Sequence, residues 1–149
     1  LQRVQAAGQH RAPLPREEHL IPSKARPRAA AAGETMAALI QVNIAREPQK
    51  GGVPEEELEA LLAECSSLPN LTIDGLMAIM PLADDPEEVR PYFRRMREWF
   101  DRLADRDIPD VRMRTLSMGM SGDCLVAAEE GATMVRLGRA LFGERPKTH

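Results

Sequence analysis

The sequence predicts an α/β fold built from four consecutive β/α units whose strands run parallel. From residue 36 onward, short runs rich in apolar residues alternate with amphipathic segments. The first run is continuously apolar and rich in β-branched residues, which is typical of a strand buried on both faces. Each run is separated from the next by enough chain for a helical crossover, which favours parallel pairing with right-handed connections. Such a layer is either open and doubly wound or part of a barrel.

The first predicted unit consists of a strand, a turn with two glycines and a helix. The strand "ALIQVNIA" covers residues 38–45, and the helix lies in "PEEELEALLAECSSL". Pro54 suits a first helical position, and the acidic residues 55–57 favour the positive end of the helix dipole. The apolar face of this helix is expected to contain Leu58, Leu61, Leu62 and Cys65.

The second predicted unit pairs the strand "LTIDGLMAI", residues 71–79, with a strongly amphipathic helix. Because Pro91 would disrupt a helix interior, this helix is predicted to begin near Arg90, with "DDPEEVR" as its lead-in. An apolar stripe at spacings of three and four marks one face. Its members are Val89, Phe93, Met96, Phe100 and Leu103. A stripe of methionine and aromatic residues is typical of core packing.

The last two predicted units are shorter. The third strand is "RMRTLSM", residues 112–118, and its helix "DCLVAAEEG" ends at Gly131, a predicted left-handed cap. The fourth strand is "TMVRLG", followed by the short helix "RALFG".

Residues 1–36 differ in composition from the rest of the chain. They contain four prolines, an alanine run, no aromatic residue and an excess of basic residues. They show no sustained period of either 2 or 3.6 residues. We therefore predict an irregular or disordered basic tail, followed by one folded domain over residues 37–149.

Composition argues against several classes of function. The formal net charge of −3 argues against nucleic acid as a main partner. No apolar run approaches the roughly 20 residues of a transmembrane helix, so no membrane partner is predicted. Cys65 and Cys124 lack CxxC spacing and are interpreted as buried thiols, which indicates a reducing, cytoplasmic location. The three histidines lie at positions 10, 19 and 149, which argues against a zinc site or a histidine-activated nucleophile.

Two glycine-bearing turns near the end of the chain suggest a phosphate cradle. Ser117 and Ser121 surround the first turn, and Gly138 and Arg139 form the second. Amides at a helix start bind phosphate, and glycine allows the backbone to approach the anion closely. The loops after the last two strands of a (β/α) barrel are a frequent phosphate site. The alternative is structural, with Ser121 as a helix N-cap and Gly138 as a tight-turn residue.

Arg136 lies on the fourth predicted strand, where a buried arginine needs a partner. It is a candidate ligand-binding residue, or one half of an ordinary ion pair with an acidic neighbour.

Four motifs in order resemble those of the pyridoxal-phosphate homeostasis protein family: "LIQVNIAREPQKGGV", "GLMAIMP", "LSMGMSGD" and "GATMVRLGRALFG". That family is a single-domain relative of the alanine racemase N-terminal barrel. The resemblance covers about residues 37–145 and corresponds to the second half of a (β/α)8 TIM-type barrel. It implies a protein that binds pyridoxal 5'-phosphate (PLP), has no established turnover, and acts in vitamin B6 and amino-acid balance.

The resemblance also implies roles for individual residues. Ser121, with Ser117 and the backbone of Met120 nearby, would hold the phosphate, and Gly138 with the Arg139 amide would complete the cradle. Arg136 would face the pyridine nitrogen, while Asn43 and Met77 would line the pocket. A permanently charged guanidinium disfavours a protonated ring nitrogen, so the cofactor would be a weak electron sink.

The chain departs from the family pattern at the Schiff-base lysine. The family carries it on the first strand, in a stretch like "VSKTKP", and that first half has no counterpart here. Lys24 in "IPSKARP" looks similar, but Pro22 would spoil a central strand. Lys50 matches a loop lysine of the family, and Lys147 lies beyond the last motif. The sequence therefore predicts a truncated relative with no catalytic residue, binding PLP weakly and non-covalently.

A second reading stays open at this point. Without a first half, the two outermost strands would present unpaired edges, which favour self-association. The chain would then be a non-functional structural fragment, or a partial subunit that needs another chain to complete the barrel. An active PLP racemase or decarboxylase is disfavoured because neither a lysine nor a second catalytic base is identifiable.

Overall fold

A computed structural model describes residues 35–143 of the 149-residue chain. The predicted tail, residues 1–36, lies almost wholly outside the described residues, as do Lys24, Lys147 and all three histidines. The strands are β1 (Met36–Gln41), β2 (Leu71–Met77), β3 (Val111–Met120) and β4 (Met134–Arg136). The helices are α1 (Leu58–Ser66), α2 (Arg90–Ala104), α3 (Cys124–Glu129) and α4 (Arg139–Phe142). Four β/α units are therefore confirmed.

The four strands form one parallel sheet in the order β1-β2-β3-β4, which is half of a barrel wall. One row of paired residues crosses all four strands of the sheet. In that row Gln41 lies beside Met77, Met77 beside Ser117, and Ser117 beside Met134. The carboxyl ends therefore meet along one rim, where parallel α/β folds place their ligand sites.

Both long helices begin through a short 3-10 turn. Glu55–Glu57 leads into α1. Pro54 was predicted as the first helical residue, but it is the N-cap of this turn, one residue earlier. Pro86–Val89 leads into α2, where the Asp85 side chain accepts from the Glu87 amide at 2.9 Å. Pro91 lies in the first turn of α2. Amides in the first turn have no carbonyl partner within the helix, so the missing N–H of proline costs no helical hydrogen bond there. The predicted helix start at Arg90 is confirmed.

The core lies between the sheet and helices α1 and α2. Its largest members are the fully buried Leu58, Leu62, Ile73, Leu76, Phe93, Met96, Leu103, Leu116 and Met118. Burying one such side chain contributes about 1.5–3 kcal/mol. The two predicted apolar helix faces are therefore confirmed, and they hold the sheet in place beneath the rim.

The prediction that the first strand is buried on both faces is wrong for the described structure. Ala38 and Ile40 are buried against the helices, whereas Leu39 points the other way and is only half-buried. The strand is also shorter than predicted, ending at Gln41. The reason is that the helices cover only one face of the sheet, so the concave face stays open among residues 35–143.

Gly75 allows β2 and β3 to approach each other closely. Its φ is +148°, and a Cβ at this position would lie 1.9 Å from the Thr115 carbonyl oxygen. The pairing register shifts between Ile73 and Gly75. Only glycine can occupy this position of the shifted register. The shift determines that Ser117 of β3 pairs with Met77 of β2.

An arginine cluster ties α2 to the end of α3. The Arg90 guanidinium contacts Glu87, Glu129 and Glu130, each at 2.6 Å. Hydrogen bonds from Arg90 and then Arg94 hold the pKa of Glu130 below its ordinary value. Because α3 follows the turn that contains Ser121, this cluster fixes one side of the candidate site.

Candidate functional site

The two glycine-bearing turns meet at the carboxyl ends of β3 and β4. The Ser121 hydroxyl oxygen accepts from the Gly138 amide at 3.3 Å and from the Ala140 amide at 3.1 Å. These residues are far apart in sequence, so the fold and not local geometry joins them. The N-cap of α3 is Asp123, which excludes Ser121 as the cap of that helix. Two backbone amides of the second turn therefore converge on the hydroxyl oxygen of the first.

Gly119 brings the first turn close to α3. Its φ is +92°, and a Cβ there would lie 2.5 Å from the Ala127 Cβ. The next amide, that of Met120, donates to the Asp123 carboxylate at 2.6 Å. The Met120 amide, which was predicted to lie near the phosphate, is thus bonded to Asp123 within the turn. The Met120 side chain is exposed.

Arg136 is held in place by the neighbouring strands. Its guanidinium donates to the Ser117 hydroxyl at 2.6 Å, the Ser117 carbonyl at 3.0 Å and the Ala78 carbonyl at 2.8 Å. Ser117 is almost completely buried. The structure therefore gives the Ser117 hydroxyl a different partner from the predicted phosphate, since here it orients the arginine. Arg136 pairs with Met120 across the sheet. Because Met120 immediately precedes Ser121 in the chain, Arg136 lies close to the two turns that Ser121 joins.

Gly138 borders open space. No heavy atom lies within 4 Å of a Cβ built at this position, and Arg139 beside it is exposed. The φ of Gly138 is −118°, which other residues also adopt. The φ of Gly138 therefore does not by itself require glycine, and its amide donates to the Ser121 hydroxyl oxygen.

Asn43 follows the end of β1 by two residues, and Met77 lies at the end of β2; their role in lining a pocket stays a prediction. Met77 is the last residue of β2 and is buried. The Asn43 side chain is engaged with its own loop, because its amide nitrogen donates to the Glu47 carbonyl at 2.9 Å and its oxygen accepts from the Glu47 amide at 3.1 Å. In this structure Asn43 therefore shapes the loop after β1.

Lys50 is the one lysine among residues 35–143. Its ammonium group donates to the Met80 carbonyl at 2.8 Å and forms an ion pair with Glu47. These contacts join the loops that follow β1 and β2. The amine is therefore engaged in a structural contact.

Three groups at the site were not predicted from the sequence: the Asp123 carboxylate, the Ala78 carbonyl and the Ala140 amide. Asp123 had a local signal, because Asp side chains in turns commonly bond backbone groups a few residues away. The other two are backbone groups whose positions depend on the packing of separate strands. No residue pattern could have identified them.

The two cysteines are less alike than predicted. Cys65 is buried in the core, and burial raises the pKa of its thiol to about 11. Cys124 is only half-buried, so the prediction of a second buried thiol is wrong. The reason is that the short helix α3 is covered mainly along Val126 and Ala127. Within residues 35–143, no group of three or more His, Cys, Asp or Glu side chains is arranged so that it could hold a metal ion.

None of the helices that the structure describes is long and apolar enough to span a bilayer.

Fold and site together define a half-barrel whose last two turns meet at Ser121, and comparison with known proteins assigns the family. The model of the alanine racemase N-terminal domain family matches residues 16–146, so the chain belongs to that family. The match begins within the segment that was expected to lie outside the resemblance.

The curated relatives are proteins named pyridoxal phosphate homeostasis protein, which confirms the resemblance predicted from the four motifs. The protein from Aquifex aeolicus is 52% identical over 107 residues, which cover 72% of this chain and 46% of that protein. The Escherichia coli protein is 44% identical over 109 residues, covering 72% and 44%. The chain thus spans less than half the length of the curated relatives it matches.

Solved structures agree with this assignment. PipY from Synechococcus elongatus, in a structure with PLP bound, is 35% identical with a TM-score of 0.68, covering 79% of this chain and 54% of that one. Alanine racemase from Corynebacterium glutamicum, at 21% identity and a TM-score of 0.53, supports the barrel fold alone.

Proposed function

We propose that this chain is a non-catalytic member of the PLP homeostasis proteins that binds pyridoxal 5'-phosphate without a covalent bond. In this proposal, residues 37–149 correspond to the second half of the eight-stranded barrel. One observation carries the proposal: the Ser121 hydroxyl and the amides of Gly138 and Ala140 converge beside a fixed arginine.

The phosphate end of PLP fits the cradle by its chemistry. Hydroxyl and amide groups are the neutral donors that bind phosphate in loops between a strand and a helix. The open space around Gly138 is the property that close approach of an anion requires. Ser121 and the amides of Gly138 and Ala140 would hold the phosphate, and Arg139 would add positive charge at its exposed side.

The ring end of PLP fits Arg136. PLP supplies an electron sink when its ring nitrogen is protonated. A guanidinium keeps its positive charge at every relevant pH, so it disfavours that protonation. Ser117 and the Ala78 carbonyl fix the guanidinium, which prevents it from turning away. This arrangement supports a protein that binds and carries PLP, in preference to one that uses PLP for catalysis.

Non-covalent binding is supported by the contacts of Lys50. Its amine is bound to the Met80 carbonyl and to Glu47, and it would have to leave both to reach a ligand. Free thiols at Cys65 and Cys124 support the further proposal of a reducing cytoplasmic location. No nucleic acid and no membrane is proposed as a partner.

The second candidate is a partial subunit that needs another chain to complete its barrel, or a fragment without function. The observation that favours it is the pair of sheet edges at β1 and β4, since each strand has a neighbour on one side only in the described sheet. Under this reading the isolated chain binds no PLP.

The test is a calorimetric titration of the full chain with PLP, pyridoxal and inorganic phosphate. We expect PLP to bind, pyridoxal to bind more weakly because it lacks the phosphate, and phosphate to compete with PLP. Arg136→Ala is expected to lower PLP affinity at least tenfold, about 1.4 kcal/mol.

Arg112→Ala is the matched control, because it removes the same charge from an exposed site at the other end of β3. Unchanged affinity in Arg136→Ala would remove Arg136 from the site. Equal losses in both variants would show a general charge effect in place of a specific contact.

A further inference from the structure

We infer that Asp123 is a specificity-determining residue of the proposed cradle, which weakens the binding of a doubly charged phosphate more than that of a singly charged tetrahedral anion. The inference rests on the proposed function, because it names the charge class of ligand for the same site. Asp123 is half-buried and ends the first glycine-bearing turn. Its position gives it two effects on a bound anion, one through a hydrogen bond and one through its charge.

Asp123 closes the four-residue turn that presents Ser121. The Asp123 amide donates to the Met120 carbonyl at 3.1 Å, the bond typical of a β-turn. In the opposite direction, the Met120 amide donates to the Asp123 carboxylate at 2.6 Å. Ser121 is the first of the two residues between these bonds. The position of its hydroxyl group therefore depends on Asp123.

The Asp123 side chain does not cap helix α3. Asp123 is the N-cap residue, where an aspartate usually accepts a hydrogen bond from an amide in the first turn of its helix. Here the side chain makes no such bond. The carboxylate bonds the Met120 amide instead, on the side of Ser121. Helix capping therefore does not account for this carboxylate.

The charge of Asp123 is not balanced by a salt bridge in the part of the chain that the structure describes. None of the ion pairs among residues 35–143 includes Asp123. By contrast, Glu130 at the other end of α3 contacts both Arg90 and Arg94. The negative charge of Asp123 therefore acts on the turn and on any anion bound there.

The effect of this charge depends on the charge of the ligand. The electrostatic energy between a carboxylate and an anion is proportional to the charge of the anion. A phosphate monoester carries about two negative charges above its second pKa of about 6, whereas a sulfate monoester carries one. Asp123 therefore opposes a phosphate monoester about twice as strongly as a sulfate monoester of the same shape.

The test compares PLP with pyridoxal 5'-sulfate, which has the same ring and a singly charged tetrahedral group. Calorimetric titrations of the full chain at about pH 8 keep the phosphate doubly charged. Asp123→Asn keeps an oxygen for the Met120 amide and removes the charge. We expect this variant to bind PLP about tenfold more tightly and the sulfate about threefold more tightly, because the logarithm of each change follows the charge of the ligand.

A second variant separates the hydrogen bond from the charge. Asp123→Ala removes both, so its ratio of PLP affinity to sulfate affinity should equal that of Asp123→Asn. Each ligand should nevertheless bind about fivefold more weakly to Asp123→Ala than to Asp123→Asn, because the Met120 amide no longer closes the turn. A purely structural role would change both affinities equally and leave their ratio at the native value.

Asp107→Asn is the matched control. It removes the same charge from an exposed residue that precedes β3, at the end of that strand away from the cradle. Both affinities should stay at their native values. Tightening equal to that of Asp123→Asn would show a general charge effect and overturn the specific role of Asp123.

The inference and the proposed function fail in different ways. A native affinity ratio in Asp123→Asn overturns the inference, and the proposed function stands if PLP still binds. If the native chain binds no PLP but Asp123→Asn does, the proposed function is contradicted for the native chain and the role of Asp123 is supported. If no chain binds either ligand, both are overturned, because Asp123 then has no anion site to regulate.

Discussion

The two halves of the described chain follow the same β/α plan but differ in how much they bury. In the packed half, β1 to α2, the helices have 9 and 15 residues, and Leu62 and Phe93 are fully buried. In the site half, β3 to α4, the helices have 6 and 4 residues, and Phe142 is 85% exposed. The fully buried helix residues therefore lie in one half, and the residues that we propose for the phosphate and the ring nitrogen lie in the other. This separation predicts that changes affecting folding and changes affecting binding fall in different parts of the chain.

The largest expected effect is on folding and belongs to the packed half. Leu62→Ala should lower the free energy of unfolding by about 2–5 kcal/mol, because it leaves a cavity under the sheet. Leu125→Ala, at a 77% exposed leucine on α3, should change it by less than about 0.5 kcal/mol. Urea unfolding followed by circular dichroism measures both. Equal losses of unfolding free energy in Leu62→Ala and Leu125→Ala would show that the site half is as tightly packed as the packed half.

A smaller effect is expected on binding and belongs to the site half. Gly138→Ala should lower PLP affinity about tenfold, or 1.4 kcal/mol, because the added methyl group would occupy the space beside the cradle. Its free energy of unfolding should not change, because no atom lies within 4 Å of that Cβ.

Gly122→Ala is the control for this variant. Its Cβ also meets nothing within 4 Å, but no contact links Gly122 to the Gly138 and Ala140 amides. Calorimetry should give native affinity for Gly122→Ala. A Gly138→Ala chain with native affinity would show that the phosphate does not approach this backbone.

The smallest expected effect is a pH dependence in the packed half. The Trp99 indole donates to Glu55 at 2.8 Å and Arg95 donates at 2.9 Å, and these bonds hold the pKa of Glu55 below its ordinary value. A carboxylate whose pKa is lowered by folding contributes stability above its ordinary pKa, and this contribution is lost as pH falls through the lowered value.

We therefore expect the native chain to lose more stability than Glu55→Gln on acidification below about pH 5, by less than about 1 kcal/mol. Denaturant titrations at several pH values measure the difference. Parallel pH profiles for the two chains would show that Glu55 contributes nothing, and that the acid sensitivity originates elsewhere.

The packed half was the easier one to predict from the sequence. Its signals are local: Pro91 fixed the predicted start of α2, and the stripe from Val89 to Leu103 fixed its buried face. The site half depends on long-range contacts. Ser121 was predicted as a cradle residue, but its contact with amides 17 and 19 residues away depends on strand pairing. Ser117 stays a predicted neighbour of the phosphate, and its sequence position could not reveal that its hydroxyl accepts a hydrogen bond from Arg136.

The most direct test of the account is a PLP titration of the full chain, followed by borohydride reduction and peptide mapping by mass spectrometry. The account predicts saturable binding and no reduced adduct at Lys24, Lys50 or Lys147. An adduct on any of these lysines would contradict non-covalent binding and identify the missing anchor. Absence of binding would contradict the central claim, that the site half retains a working cradle.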